Sequence, residues 1–546
     1  MEKTLKKILP LLLIIILTAL VYLNSFKNDF VYDDHVHILS NKDIRYPNNI
    51  PKFFTSSFKD LYRPLRSINY MVVYSLWNEN PFGYHLNSLF LHILNTVIIY
   101  FIINLLINKK GISLIASLLF AVHPIHTGRV TNITAGFDQL GILFIFLSFY
   151  LYLLYLKKEK AIHYVLSISV FLLALLSSEE AVIFPFLLLL YGICFNKSKK
   201  KFRIYIPFFI LDFLYIISRF FILGIGARAS EYTAGSFYFT MLTTAKVFVK
   251  YIILLLFPFR LTLYPNIAVA NSLFEIKVIL SILILLCLIF IAIKSYRKNK
   301  IITFIIGWFF ITLIPFSNIL PLTTLIAERY LYIPSFAFCL LLAILIHKLY
   351  NLKNTKIIAI LIFILLLVSY SAIAIKRNTD WKSDLVLWAK TVKTSPLSSE
   401  AHDNLGFAYE RAGFIDKAII EFKKSVNLNP SNYKAYTNLG TTYAQKGNFT
   451  LAEKYLKTAI KINPNYYKAH NYLGLIYAKQ GLFNKSILEF KKAIKTNPNF
   501  DEAYYNLGMV YEYLKEYNLA KKEFEKAFRL DPKDPTYSKK IKTINQ

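Results

Sequence analysis

Run after run of apolar residues in this chain is long enough to cross a lipid bilayer, and this limits its fold more than any other feature. A span needs about 20 residues of helix, because backbone polar groups in hydrocarbon must bond within their own segment. Such runs fall near 8–24, 86–107, 111–128, 137–156, 161–178, 180–196, 203–223, 274–294, 301–320, 332–350 and 356–375. They predict an all-α, polytopic domain of about eleven spans. Charged residues make up only 18% of the chain, against about a quarter in soluble domains. A further run, 241–258, carries Lys246 and Lys250 on one helical face and is read as lying along the membrane surface. The run 8–24 follows Lys3, Lys6 and Lys7 and lacks a small-residue cleavage site after it, so it is read as a retained first span.

The net charge of +32 would suit nucleic acid, but its placement does not. Lys and Arg cluster between apolar runs: Lys3/Lys6/Lys7, Lys109/Lys110, Lys157/Lys158/Lys160, Lys197 through Arg203, Lys294 through Lys300, and Lys348/Lys353/Lys356. Only Glu2 and Glu159 accompany them. That is the signature of cytoplasmic loops, and no nucleic-acid partner is expected. With all six clusters inside, the first loop (25–85) and everything after Ile375 fall on the extracytoplasmic face. A multi-pass protein of the bacterial cytoplasmic membrane is expected, or of the endoplasmic reticulum membrane in a eukaryote. Cys194, Cys287 and Cys339 offer neither a disulfide framework nor a metal spacing.

From residue 399 the pattern changes to a strict period. Gly406, Gly440, Gly474 and Gly508 are 34 apart, as are Pro430, Pro464, Pro498 and Pro532. Leu405, Leu439, Leu473 and Leu507 precede the glycines, and Tyr409, Tyr443, Tyr477 and Tyr511 follow three later. Ala418, Ala452, Ser486 and Ala520 hold a small-residue position; Phe422, Leu456, Phe490 and Phe524 hold a large one. This is the tetratricopeptide repeat, a helix–turn–helix whose units stack into an α-solenoid. The expected domains are 1–378 in the membrane, a linker 379–398, four repeats over 399–534 and a tail 535–546.

Polar residues recur where the spans should end on the outer face. Asp33 and Asp34 stand just beyond the first span, where a carboxylate pair serves as general base, metal ligand or sugar-binding group, or is merely a solvated turn. Arg63, His85, His123, His126, Glu179 with Glu180, Arg219, and Glu328 with Arg329 complete the set. The last two are equally readable as a self-neutralising pair. His123 and His126 flank a proline with no third ligand at matching spacing, so no zinc site is expected.

In order along the chain, Phe30-Val31-Tyr32-Asp33-Asp34, Tyr62-Arg63-Pro64-Leu65, Gly83-Tyr84-His85 and His123-Pro124-Ile125-His126-Thr127 are followed by Glu179, Arg219 and Glu328-Arg329-Tyr330-Leu331-Tyr332. This series, with repeats after the last span, resembles the transmembrane and tetratricopeptide-repeat-containing O-mannosyltransferases and their bacterial relatives in the GT-C superfamily. The resemblance implies a GT-C-like membrane domain and a catalytic base in the first-loop acid pair, with Asp33 the first choice and Asp34 its neighbour. Donor or substrate binding is implied for Arg63, His85, His123, His126, Glu179, Arg219, Glu328 and Arg329. The chain departs from the family at Ser178, where a Lys is usual, at Gly128, where an acid is usual, and at Ala135-Gly136-Phe137-Asp138, which lacks an Arg for which Arg129 stands as substitute.

The reading is an inverting glycosyltransferase that moves a sugar, mannose in the family, from a polyprenyl-phosphate donor to a protein Ser/Thr or a glycan. The repeats would bind acceptor peptide or protein, with Asn404, Asn438, Asn471 and Asn506 as groove candidates. No cofactor is assigned; a divalent metal is the sole candidate, with the acid pair as its potential ligands. The alternatives are a non-enzymatic membrane-anchored scaffold and an O-antigen-ligase-like enzyme.

Overall fold

Helices account for the architecture of the computed structural model, which describes all residues except 1, 59–60, 196–198, 225–231, 233–234, 266, 323, 533 and 545–546. Lys197 of the fourth basic cluster and Gln546 of the expected tail lie outside the described residues. No strand forms among those described. The chain divides into Met1–Leu387 and Trp388–Gln546.

The first unit begins with α1 (Glu2–Tyr22), α2 (Ile50–Thr55), α3 (Pro64–Trp77), α4 (Pro81–Ile107), α5 (Lys110–Val122), α6 (Thr127–Val130), α7 (Ile133–Phe137) and α8 (Gln139–Lys158). It continues with α9 (Ala161–Leu175), α10 (Phe184–Phe195), α11 (Ile206–Ile217), α12 (Phe237–Leu256), α13 (Ile276–Lys298), α14 (Lys300–Leu313), α15 (Pro334–Tyr350) and α16 (Lys356–Asn378). Pro64, Pro81 and Pro334 open their helices, where a fixed φ helps and the missing N–H costs nothing. The core joins α4, α5, α8, α9, α10, α14 and α15 around aromatics such as Phe146, Phe149, Trp308 and Phe336. Inside the α8–α9 hairpin, Ser148 and Ser167 each donate a hydroxyl to the other's carbonyl, at 2.7 and 2.8 Å, so neither is left unbonded in apolar surroundings.

The expected count of about eleven spans is not confirmed. Seven helices are long and apolar enough to cross, or eight if the pair Lys110–Val122 and Pro124–Val130, bent by 48°, counts as one. Ala161–Leu175, Lys300–Phe316 and Pro334–Tyr350 are apolar but shorter. α12 is among the seven, although the sequence pointed to a surface helix. One charge behind that expectation is neutralised: Lys246 pairs with Glu275 at 3.3 Å. Yet the chain on both sides of α12 bonds to the single loop joining α14 to α15. Tyr232 donates to the Ile319 carbonyl before the helix, and the Thr262 N–H donates to Glu328 after it.

α17 (Asp384–Thr394) lies in the stretch read as a linker. The repeats pair α18 (Ser399–Arg411) with α19 (Ile415–Leu428), α20 (Tyr433–Gln445) with α21 (Phe449–Ile462), α22 (Tyr467–Lys479) with α23 (Phe483–Thr496), and α24 (Asp501–Tyr513) with α25 (Tyr517–Leu530). The period has a steric cause. A methyl on Gly406, Gly440, Gly474 or Gly508 would sit 2.6–2.7 Å from Phe422, Leu456, Phe490 or Phe524, so each large residue fills the space its glycine leaves. α26 (Pro535–Ile544) occupies the expected tail, where Tyr537 donates to Asp501 at 2.9 Å and covers the last repeat.

Candidate functional site

The loop after α1 is held at one end of the first unit by bonds to the chain leaving α16. Asn24 donates to the Ile375 carbonyl at 2.8 Å, Asn28 to the Asn378 carbonyl at 3.0 Å, and the Asp29 N–H to the Lys382 carbonyl at 3.1 Å. First and last spans therefore end side by side.

Within this loop the two aspartates have different surroundings. Asp34 is fully buried. Its carboxylate accepts the Val31 N–H at 3.0 Å, the Thr134 N–H at 2.8 Å and the Thr134 hydroxyl at 2.5 Å, which fastens the loop to α7. Burial pushes its carboxyl up to about 6 in spite of those donors. Asp33 stays half-buried, and its carbonyl takes the N–H groups of Val36 and His37. Tyr32, just before it, has a φ of +55°, a left-handed conformation costly for a side chain of this size. Its hydroxyl meets that of Tyr264 at 2.9 Å.

Arg329 faces this group. Burial opposes its charge, but Tyr330, Tyr32 and Asp33 outweigh burial and strengthen its hold on the proton. Its guanidinium lies 5.3 Å over Tyr330, which stacks on Phe316 at 3.9 Å. Glu328 does not neutralise Arg329. It is buried, takes the Thr262 N–H and pairs with Arg377 at 3.4 Å. Burial raises its carboxyl above the ordinary range.

A second constellation holds four guanidiniums and three carboxylates. Arg63 bonds Asp138 at 2.6 Å and Glu179 at 2.5 Å, and Arg66 bonds Asp138 at 2.8 Å. Arg129 bonds Glu180 at 2.6 Å and lies 3.7 Å from Asp138; Arg219 lies 3.4 Å from Glu179. Burial alone would raise the Glu179 carboxyl, but Arg63 and Arg219 hold it below the ordinary range. The cluster carries one surplus positive charge. Arg129 ties it to the first group, because its guanidinium donates to the Arg329 carbonyl at 3.3 and 3.1 Å.

Thus Asp33 and Arg329 come together, as do Arg63, Glu179 and Arg219. The histidines join neither group. His85 is buried against the Asn28 carbonyl at 3.2 Å, His123 against the Leu255 carbonyl at 3.1 Å, and His126 against the Ser335 hydroxyl at 2.8 Å. They fasten one element to another. Arg66, Tyr264, Arg377 and Asp384 went unnoticed in the sequence. Arg66 had a local signal, three residues after Arg63 in the first turn of the helix that Arg63 precedes; the others are brought in from far along the chain. Among the described residues no three His, Cys, Asp or Glu side chains converge as a metal site requires.

In the repeats, Asn438 and Asn506 are half-buried and link neighbouring units. They donate to Asp403 and Asn471 of the preceding repeat, each at 3.0 Å. Asn471 is buried, and Asn404 bonds the Glu400 carbonyl within its own helix at 2.8 Å.

Residues 69–222 match the family described as dolichyl-phosphate-mannose-protein mannosyltransferase. That stretch includes His85, His123, His126, Glu179 and Arg219, but neither the Asp33 loop nor Arg329. Tetratricopeptide-repeat families match 399–432, 433–466, 476–515 and 501–534. Protein O-mannosyl-transferase F38B6.6 of Caenorhabditis elegans is 26% identical over 417 residues, 72% of this chain and 59% of the relative. Human protein O-mannosyl-transferase TMTC3 is 26% identical over 464 residues, 75% of this chain and 50% of the relative. The chain thus spans about half the length of the curated relatives it matches. The crystal structure of MamA is 31% identical over 28% of this chain and 90% of its own, with a TM-score of 0.25. The resemblance to the transmembrane and tetratricopeptide-repeat-containing O-mannosyltransferases read from the motifs is borne out.

Proposed function

We propose, from that kinship, that the protein is an inverting glycosyltransferase taking mannose from a polyprenyl-phosphate donor to a Ser or Thr hydroxyl of a protein. The observation that carries the reading is the split within the acid pair. Asp34 is fully buried with three loop and α7 donors on its carboxylate, whereas Asp33 stays half-buried beside Arg329. A general base must be reachable by the acceptor hydroxyl, and partial exposure leaves Asp33 reachable where burial shuts Asp34 away. Asp33 takes the hydroxyl proton, and the freed oxygen attacks C1 of the sugar from the face opposite the leaving group. The C1–O bond to the lipid phosphate breaks, and the configuration at C1 inverts. The departing phosphate gains charge, which Arg329 and the surplus guanidinium of the Arg63–Arg219 cluster are placed to offset. No step requires a metal.

The reaction is assigned to the extracytoplasmic face, following the basic clusters of the other loops. The side-by-side exit of first and last spans supports a shared face for the Asp33 loop and the chain entering the repeats. The return of both α12 flanks to one loop supports a segment that does not carry the chain across. The repeats present protein acceptors, as solenoid grooves commonly do for extended partners.

Purified protein in liposomes, given radiolabelled polyprenyl-phosphate mannose and a Ser/Thr-rich protein acceptor, should place label on the acceptor. Transfer from a nucleotide sugar and none from the lipid donor would sink the proposal. Removing 399–546 should abolish transfer to protein while donor hydrolysis survives. Unchanged transfer would end the presenting role of the repeats.

A further inference from the structure

We propose that Asp384 is a positioning residue that holds Asp33 in register for catalysis. The inference rests on Asp33 being the base, and adds a residue that sequence reading did not single out. Asp384 opens α17, beyond the last span. One carboxylate oxygen accepts the Tyr32 N–H at 2.8 Å; the other meets the His35 ring at 2.6 Å. Tyr32 directly precedes Asp33, and His35 directly follows Asp34. One side chain therefore grips the backbone before the acid pair and the side chain after it, across 352 residues of sequence.

The grip has a specific task. Tyr32 is held at φ +55°, which a tyrosine does not adopt unless its surroundings impose it. If Tyr32 relaxed to a negative φ, the chain would leave the loop in another direction and Asp33 would turn away from Arg329. Three restraints oppose this. Asp34 is fixed to Thr134 after the turn, the Tyr32 hydroxyl meets Tyr264, and Asp384 takes the Tyr32 N–H. Of the three, only Asp384 bonds the backbone of the strained residue itself. Both of its oxygens are used, so an amide in its place would turn an NH2 group toward one of the two partners. The Asp384 and His35 side chains are only 18% and 22% exposed, so water replaces the bond poorly. The neighbouring bond from the Asp29 N–H to the Lys382 carbonyl keeps the two strands of chain aligned.

The test uses full-length protein in liposomes with polyprenyl-phosphate mannose and a protein acceptor. Asp384→Ala should lower kcat about 100-fold, the scale expected when a reacting group is displaced by about an ångström. The KM for donor should stay within about twofold, because donor contacts are untouched. Asp384→Asn should fall between the two, since its carbonyl can still accept from Tyr32. Amide exchange at residues 32–37 should quicken in Asp384→Ala while α8 stays protected. A folded Asp384→Ala protein with wild-type kcat overturns the proposal, as does unchanged protection of the loop. Asp33→Asn measured alongside separates the two readings. If it turns over normally, the base assignment falls, and loop exchange alone still decides whether Asp384 holds the turn.

Discussion

The buried polar pairs of the repeats join residues at short, recurring separations, whereas in the membrane unit several join residues a hundred or more apart in sequence. His402 bonds Glu421 at 2.6 Å and His470 bonds Glu489 at 2.6 Å, 19 residues apart in both cases. Asn438 reaches Asp403 and Asn506 reaches Asn471, 35 apart in both cases. In the membrane unit Thr134 bonds Asp34 from 100 residues away and Tyr32 bonds Asp384 from 352. The contrast follows from the packing. A repeat buries its face only against its own partner helix and the next unit, so contacts repeat with the period. A helical membrane core brings together distant segments, and each buried charge takes whichever opposite charge the packing delivers.

The contrast can be broken at its functional end first. Asp33→Asn keeps the size of the side chain but cannot take a proton at neutral pH, so transfer should fall by roughly 10²–10⁴-fold. The unfolding temperature should not move. Asp34→Asn looks milder from sequence alone, but its NH2 would face the Val31 and Thr134 donors, so it should loosen the loop as well as slow transfer. Near-normal rates in both variants would remove the acid pair from the mechanism.

Next in size is the ion cluster. Asp138→Asn withdraws one carboxylate from Arg63, Arg66 and Arg129 and should cost about 3–5 kcal/mol, as expected when a buried charge loses its partner. Thermal unfolding in detergent reads this loss. No change would mean that Glu179 and Glu180 suffice as counter-charges.

In the repeats, a single change should act more weakly and locally. His470→Ala removes the partner of Glu489 and should cost about 1–3 kcal/mol. Burial raises the Glu489 carboxyl, but His470 and Lys492 together hold it below its ordinary 4.5. A lowered carboxyl stabilises the fold above its unfolded value and loses that contribution as pH falls through the folded one. Amide exchange in the full-length protein, followed from pH 7 downward, should show α22 and α23 losing protection below about pH 4.5. His470→Ala should flatten that loss; an identical acid profile would show the pair to be inert.

The smallest effect sharpens the repeat side. Gly413, Gly447 and Gly481 make the turn between paired helices at φ +80°, +79° and +75°, but the fourth repeat has Lys515 there at +63°. Lys515→Gly should relieve the strain and gain about 0.5–1 kcal/mol, net of the added freedom of the unfolded chain. A loss of stability would show that the lysine side chain contributes more than its backbone costs.

The 34-residue period, the α-solenoid, the apolar helices and the presence of an acid pair beyond the first span were determined by sequence alone. Each is local: hydrophobic runs set helices, and glycine recurs where a large side chain of the paired helix must fit. What tertiary structure alone decided was how distant polar groups are shared out. Two adjacent aspartates look equivalent in sequence, but α7 reaches one of them and buries it. Glu328 and Arg329 are neighbours in sequence, yet Arg377 takes the glutamate and leaves the arginine facing Asp33. Four arginines and three acids scattered over 63–219 form one cluster. The physical reason is that a buried charge must find an opposite charge or a donor, and only the packing of the helices determines which one is in reach.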